Sequence, residues 1–186
     1  MTSLFSTHQP PSKQAAFTLL ESLISLIIIS IALAIAFPNL SSILLRSRMD
    51  AVISEFSSAL YLARSESIKR GVAVTLCSSA EGSACNTTTS TAAGWQYGWL
   101  LFADSNADAS LDSGDRLIRV YHNPHNEFTL IGNTYVDSQI HYLPTGRISV
   151  LGGTIRVCAK DRSQLGKNIV LIATGRFRID TDIACE

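Results

Sequence analysis

The fold of this chain is decided by residues 16–37, whose sequence is AFTLLESLISLIIISIALAIAF. Between Leu19 and Phe37 the only ionisable side chain is Glu21. A helix built from Phe17 to Phe37 would be roughly 31 Å long, which matches the roughly 30 Å hydrocarbon core of a bilayer. The segment therefore predicts a transmembrane helix. A carboxylate inside such a helix is costly in lipid, so Glu21 is a candidate functional group.

The residues in front of the apolar run form a short, polar leader in which the small pair Ala15-Ala16 precedes the apolar core. An ordinary secretory signal has its cleavage site after the core. Cleavage between Ala16 and Phe17 would instead leave the hydrophobic segment on the mature chain. That chain would begin with a free amine on Phe17 and carry Glu21 as its fifth residue. We therefore divide this region into a leader, 1–16, and a membrane or filament-core helix, 17–38.

The arrangement Phe17-Thr18-Leu19-Leu20-Glu21 resembles the class III signal of type IV pilins and type II secretion pseudopilins. In that family a prepilin peptidase cuts before a Phe, the Phe is N-methylated, and a Glu follows at the fifth mature position. Pro38 stands where the family's helix usually kinks, whereas Ala16 replaces the usual Gly.

The resemblance implies that Glu21 neutralises the terminal ammonium of Phe17 on a neighbouring subunit during filament assembly. The expected partners are other pilins in the filament, the inner membrane before assembly, and prepilin peptidase. The expected location is the inner membrane, as a single-pass protein with a periplasmic domain, and then a pilus at the cell surface. The alternative is a plain membrane anchor in which Glu21 is incidental.

Beyond the membrane segment about 140 residues remain, enough for one ordinary domain. The formal net charge of the whole chain is zero, so overall charge does not indicate a nucleic-acid partner. The chain has four cysteines, Cys77, Cys85, Cys158 and Cys185, which allow three pairings. An exported domain keeps disulfides. We favour Cys77–Cys85, which closes a short loop, and Cys158–Cys185, which ties down the chain end. The spacing does not suit a structural zinc site.

The helical period continues past Pro38. One face of the predicted helix contains Val52, Phe56, Ala59, Leu60, Ala63 and Ser67, at helical spacing. Basic residues lie in the last turn of this predicted helix, and Gly71 is a suitable C-terminal cap. We expect one long helix from about Phe17 to Arg70, bent near Pro38, with 39–70 as its amphipathic half.

From Val72 the period changes to two, which is typical of strands. Strands are predicted at Val72–Cys77, Trp95–Phe102, Arg116–Tyr121, Phe128–Ile131, Gln139–Tyr142, Arg147–Leu151, Thr154–Cys158, Asn168–Ala173 and Arg176–Ile179. A helix followed by many short strands predicts an α+β fold, in which a long N-terminal helix packs on antiparallel sheet and 71–186 forms the β-rich domain. The motif of residues 94–104, together with Pro144-Thr145-Gly146-Arg147, resembles the GspH/FimT group of minor pilins and pseudopilins.

Two other patterns are candidate sites. Asp104, Asn106, Asp108, Asp112 and Asp115 occupy ligand places of a calcium loop, but Ala109 replaces the required Gly and Asp115 is shorter than the usual Glu. The other interpretation is an acidic hairpin loop with Asx turns. His122, His125 and His141 lie near no convincing nucleophile. We therefore expect no enzymatic activity, no cofactor and no metal.

Charge is segregated along the chain. Between residues 141 and 178 there are seven basic side chains and one acidic side chain, which predicts a local positive surface. On a strand Arg176 and Arg178 would point outward together, about 7 Å apart, with Phe177 inward. Two guanidinium groups so placed can each grip a phosphate. The alternative is a solvated strand face in which they pair with Asp180 and Asp182.

The sequence Thr174-Gly175-Arg176-Phe177-Arg178 resembles the C-terminal GRxR motif of FimT proteins, which implies DNA binding by Gly175, Arg176 and Arg178. Lys160, Arg162 and Lys167 would extend this basic track. The sequence thus predicts a minor type IV pilin that binds extracellular DNA, without sequence specificity, for uptake in natural transformation. The alternative is a structural minor pilin or pseudopilin, FimU-like or GspH-like, that primes pilus or type II secretion pseudopilus assembly without binding DNA.

Overall fold

The computed structural model describes residues 18–86, 94–123, 127–160 and 162–185, without the side chains of 35–39, 162–164 and 182. The described elements are one long helix, a short 3-10 helix and eight strands. They are α1 (Leu19–Arg70), the 3-10 helix Trp95–Tyr97, β1 (Ala73–Ser78), β2 (Gly98–Asp104), β3 (Arg116–His122), β4 (Phe128–Gly132), β5 (Gln139–Tyr142), β6 (Gly152–Ala159), β7 (Arg162–Ile172) and β8 (Phe177–Ile183). This order confirms the predicted α+β class.

The described chain divides into two compact units, with the boundary between Ile43 and Leu44. In the first unit the helix begins at an N-cap, where the Glu21 backbone N–H donates to Thr18 Oγ1 at 3.2 Å. Glu21 lies in the first turn, where the helix dipole favours a carboxylate. Every side chain from Thr18 to Ala34 is exposed. Ala16 and Phe17, the predicted processing site, lie outside the described residues. Within the described ranges, no helix combines the length and apolarity needed to cross a membrane.

The second unit contains two antiparallel four-stranded sheets, with strand orders β3-β2-β1-β5 and β4-β6-β7-β8. The main core joins one face of α1 to the inner faces of both sheets. The predicted apolar face of the helix is confirmed, because it is the buried one. Its buried residues are Met49, Val52, Ile53, Phe56, Ala59, Leu60, Ala63 and Ser67. Phe56 packs edge-on against Trp95 and Trp99, with ring centroids 5.2 Å and 4.9 Å away.

A smaller apolar cluster covers the outer face of the first sheet. It contains Cys77, Leu100 and Phe102, and the half-buried Cys85 and Leu111 from two loops pack against it. Strands β1 and β2 are therefore buried on both faces. This explains why their sequences are almost continuously apolar rather than alternating.

Two predicted strand segments are wrong. Arg147–Leu151 forms only an isolated bridge, between Ile148 and Tyr142, because the chain turns at Gly146 in a left-handed conformation. Trp95–Tyr97 is a 3-10 helix, and the strand starts only at Gly98. The Trp95 indole is buried and donates a hydrogen bond to the Val136 carbonyl at 2.9 Å, so side-chain burial sets this local conformation.

Two strands of the second sheet are longer than predicted. Strand β7 begins at Arg162 rather than Asn168, and β8 continues to Ile183 rather than ending at Ile179. The longer strands move the β6–β7 turn away from the β7–β8 turn, which determines where the basic residues lie.

Candidate nucleic-acid interface

Two turns of the second unit each contain a Gly-Arg pair. In the first, the Gly146 N–H donates to the Leu143 carbonyl and the Leu143 N–H donates to the Arg147 carbonyl, both at 2.8 Å. In the second, the Gly175 N–H donates to the Ile172 carbonyl at 2.9 Å and the Ile172 N–H donates to the Arg176 carbonyl at 3.0 Å. The glycines have φ of 75° and 77°, a left-handed conformation that side chains with a Cβ disfavour. Each turn therefore depends on its glycine.

The two turns pack directly on each other. A Cβ placed on Gly175 would overlap the carbonyl oxygen of Gly146. The Ile148 N–H donates to the Ala173 carbonyl at 3.2 Å, and the Tyr142 hydroxyl donates to the Gly175 carbonyl at 3.4 Å. We call the exposed surface of residues 143–147 and 172–176 the paired-turn surface. Its packing keeps the Cα atoms of the two arginines within about 14 Å of each other.

Arg147 and Arg176 are both exposed on the paired-turn surface. Neither side chain has a hydrogen bond or ion pair to any residue that the structure describes. Their guanidinium groups therefore keep their donors free for a ligand. Arg147 is one of the seven basic residues between 141 and 178, but the sequence does not predict it as part of the site.

A third cation lies beneath the paired turns. Arg64 of α1 places its Nε beside Gly146, 3.3 Å from where a Cβ would stand. This Nε is buried and has no hydrogen-bond partner among the described residues. Burial raises the pKa of the nearby Tyr142 phenol far above its usual value, and the positive charge of Arg64 opposes that rise. Arg64 therefore adds positive potential under the paired-turn surface.

Arg178 differs from Arg176 in having a partner. Both side chains are exposed, while Phe177 between them is half-buried and packs on Tyr61 with ring centroids 4.8 Å apart. Arg178 donates from Nε and Nη2 to the two carboxylate oxygens of Asp180, at 3.0 and 3.3 Å. The hydrogen bond and the charge of Asp180 raise the pKa of Arg178. The predicted alternation is present, but the alternative pairing with Asp180 is present as well.

The predicted basic track is not continuous. Lys160 follows β6 and Arg162 begins β7, so both lie at the opposite end of the sheet from Arg176. The length of β7 separates them by roughly 30 Å. Lys167, within β7, forms an ion pair with Asp50 of α1. The prediction of a basic track relied on closeness in sequence, but β7 lies between these residues and Arg176 and keeps them apart. The sequence signal for the paired turns is the repeated Gly-Arg pair.

The side-chain oxygens of the acidic loop, residues 104–115, accept hydrogen bonds from within the same loop. Asp104 accepts the backbone N–H groups of Asp108 and Ala109 at 3.2 and 2.9 Å, and Asp112 accepts that of Gly114 at 2.7 Å. The Asn106 amide donates to Asp108 and Asp112. In the described part of the chain, no three acidic, His or Cys residues are grouped as metal ligands. The contacts match the Asx-turn interpretation.

His141 forms a hydrogen bond within the first sheet. Its Nδ1 lies 2.6 Å from the Thr75 hydroxyl, which donates to the buried Asp104 carboxylate at 3.0 Å. Because the hydroxyl proton goes to Asp104, Nδ1 of His141 must donate to Thr75 Oγ1. This chain of hydrogen bonds links β5, β1 and β2.

Both favoured disulfides are present. Cys77 is bonded to Cys85, and Cys158 is bonded to Cys185, with Cα atoms 5.6 and 5.9 Å apart. The first holds the loop after β1 over the smaller apolar cluster. The second attaches the end of the described chain to β6.

Comparison with known proteins agrees with this architecture. The family described as Type II transport protein GspH matches residues 52–175, and the Prokaryotic N-terminal methylation motif matches 11–37. The chain therefore belongs to the GspH family and is a minor type IV pilin or pseudopilin. No protein with curated function matches the sequence.

Solved structures show the same fold. A crystal structure of the Pseudomonas aeruginosa PAO1 type IV minor pilin FimU is similar, with 15% identity and a TM-score of 0.57, covering 76% of this chain and 97% of FimU. A second crystal form of FimU gives 15% identity and a TM-score of 0.54, covering 74% of this chain and 99% of FimU. At this identity the likeness concerns the fold alone.

Proposed function

We propose that this minor pilin binds the phosphate backbone of extracellular DNA through the paired-turn surface and serves DNA uptake in natural transformation. The observation that carries the proposal is the pair of exposed guanidinium groups, Arg147 and Arg176, that two stacked Gly-Arg turns bring together. Arg178 adds a third group when phosphate displaces Asp180. Lys160, Arg162 and Lys167 are not part of this contact.

The chemistry suits phosphate better than other ligands. A guanidinium group presents a planar fork of donors that matches two phosphate oxygens. The paired-turn surface offers no fixed array of base-reading side chains, so the contact is independent of sequence. With few phosphates engaged, we expect binding in the micromolar range or weaker at physiological salt, strengthened by repetition along a filament.

The N-terminal helix would serve assembly of the filament. The exposed apolar residues between Leu19 and Ala34 require a nonaqueous or protein environment, which an inner membrane and then a filament core would supply. Prepilin peptidase would cut between Ala16 and Phe17, and Phe17 would be N-methylated. Glu21 would then neutralise the terminal ammonium of a neighbouring pilin. The role is one of binding and assembly, without catalysis.

The second candidate is a subunit that only primes pilus or secretion pseudopilus assembly. The Arg178–Asp180 pair favours it, because this pair removes half of the predicted GRxR charge from the surface. It differs from the first candidate in a single measurable property, the affinity of the folded chain for DNA.

The test uses the full chain in non-ionic detergent, with a fluorescent short duplex followed by anisotropy at two salt concentrations. Replacing Arg147 and Arg176 together by Ala should remove most binding and reduce the slope of log K against log salt by about 1.8. The control, Lys160→Ala with Lys167→Ala, removes the same charge at other places and should have a small effect. Equal loss in both variants would refute the site. Absence of binding by the unmodified chain would favour the assembly role alone.

A further inference from the structure

A groove runs from the paired-turn surface along the adjoining loops of the domain. It consists of two cavities, of about 620 and 400 Å³, which share Tyr135, Leu143, Ser149 and Val150 as walls. The larger cavity ends at the paired turns, where Thr145, Arg147 and Ala173 line it. Arg147 therefore belongs both to the proposed phosphate contact and to the groove.

The groove has an apolar wall that is exposed to solvent. Leu151 is 90% exposed and Tyr135 is 63% exposed. The side chains of Leu143 and Val150 are half-buried beside them. Tyr135 has no hydrogen-bond partner among the residues that the structure describes. An exposed aromatic ring with apolar neighbours, placed next to an unpaired cation, offers a stacking surface for a planar ligand.

The charges along the groove differ between its ends. Arg147 stands at one end, whereas Asp108 lines the smaller cavity at the other end, together with His141. A polyanion lying along the whole groove would meet the Asp108 carboxylate. The charge distribution therefore favours a ligand whose phosphates stay at the Arg147 end and whose uncharged planar part enters the groove.

We propose that the groove accepts unpaired bases of single-stranded DNA, which stack on Tyr135 while Arg147 and Arg176 hold the adjoining phosphates. This inference rests on the proposed function and names the form of DNA that the site takes. A duplex hides the faces of its bases, so it can use only the arginines. A single strand uses both the arginines and the groove and binds more tightly.

The test compares three fluorescent ligands of equal length on the full chain in detergent. They are a single strand, the same single strand with abasic sites, and a duplex. Tyr135→Ala should weaken binding of the single strand by about tenfold or more, the effect of losing one stacked base. It should leave the abasic strand and the duplex unchanged. Tyr135→Phe, which keeps the ring, should retain the affinity for the single strand.

A second measurement does not depend on any variant being folded. A single strand carrying a photoreactive iodouracil, crosslinked to the unmodified chain and mapped by mass spectrometry, should attach at Tyr135. Crosslinks confined to residues outside the groove would overturn the inference, as would an abasic strand that binds as tightly as the intact one. In both cases the loss of duplex binding on replacing Arg147 and Arg176 would still uphold the proposed function. Full retention of duplex binding in that double variant would refute the proposed function itself.

Discussion

Gly175 lies against the carbonyl oxygen of Gly146, at a separation that leaves no space for a side chain. Each glycine is followed by an exposed arginine, so this contact determines where Arg147 and Arg176 lie relative to each other. Arg147 lies in the connection between β5 and β6, whereas Arg176 lies in the turn between β7 and β8. Their proximity is therefore a property of the folded domain and depends on two residues without side chains.

The contact between the glycines can be tested by adding one methyl group. Gly175→Ala should lower the free energy of unfolding by at least about 2 kcal/mol, since it combines an unfavourable φ with overlap. Gly71→Ala is the matched control, because Gly71 has a similar φ of 67° but nothing within 4 Å of the added carbon. It should cost about 1 kcal/mol. Urea denaturation of both variants measures the difference, and equal costs would mean that the turn packing contributes nothing.

The two arginines of the GRxR motif should contribute unequally to DNA binding. Arg176→Ala should weaken duplex binding more than Arg178→Ala, because Asp180 already occupies the Arg178 guanidinium group. Arg176→Ala should also reduce the salt slope by about 0.9, the value for one phosphate contact. Anisotropy titrations at two salt concentrations give both quantities. A larger loss from Arg178→Ala would show that phosphate displaces Asp180 readily and that Arg178 is the principal contact.

Removing the competing carboxylate should strengthen binding. Asp180→Asn frees Arg178 and removes one negative charge from the surface, so we expect a severalfold gain in duplex affinity. The pair is exposed, and exposed ion pairs contribute little to folding, so the free energy of unfolding should change little. Asp50→Asn is the control, since it removes the same charge and frees Lys167 elsewhere on the domain. If the control gains as much affinity, overall charge rather than the local pair controls binding.

Several features of this structure were predictable because their causes are local. The spacing of Val52, Phe56 and Ala63 identified the buried helix face, and alternation or apolar runs located most strands. Part of the basic surface was predicted incorrectly, because the positions of its residues depend on contacts between segments that are distant in sequence. Lys160 and Arg176 are near in sequence but lie at opposite ends of β7, whereas Arg147 joins Arg176 only through the packing of two turns. The first pair is separated by the length of β7, which begins at Arg162 rather than at the predicted Asn168.

The Tyr142 hydroxyl, which donates to the Gly175 carbonyl, should make stability depend on alkaline pH. Burial raises the pKa of this phenol, so the fold favours its neutral form. An unfolded tyrosine ionises near pH 10, and stability should therefore be constant at neutral pH and fall as the pH rises above about 10. Tyr142→Phe should cost about 0.5–1.5 kcal/mol at neutral pH, through the lost hydrogen bond.

The alkaline effect is isolated by comparing the two proteins at each pH. Burial also raises the pKa of Tyr121, but that group is common to both proteins and cancels in the difference. The stability advantage of the unmodified chain over Tyr142→Phe should shrink between about pH 9 and pH 11, as the unfolded phenol gains its charge. Urea denaturation followed by circular dichroism measures this difference. An advantage that stays constant across that range would mean that Tyr142 is accessible enough to ionise in the folded domain, and the paired turns would then be less tightly packed than the contacts around Gly175 imply.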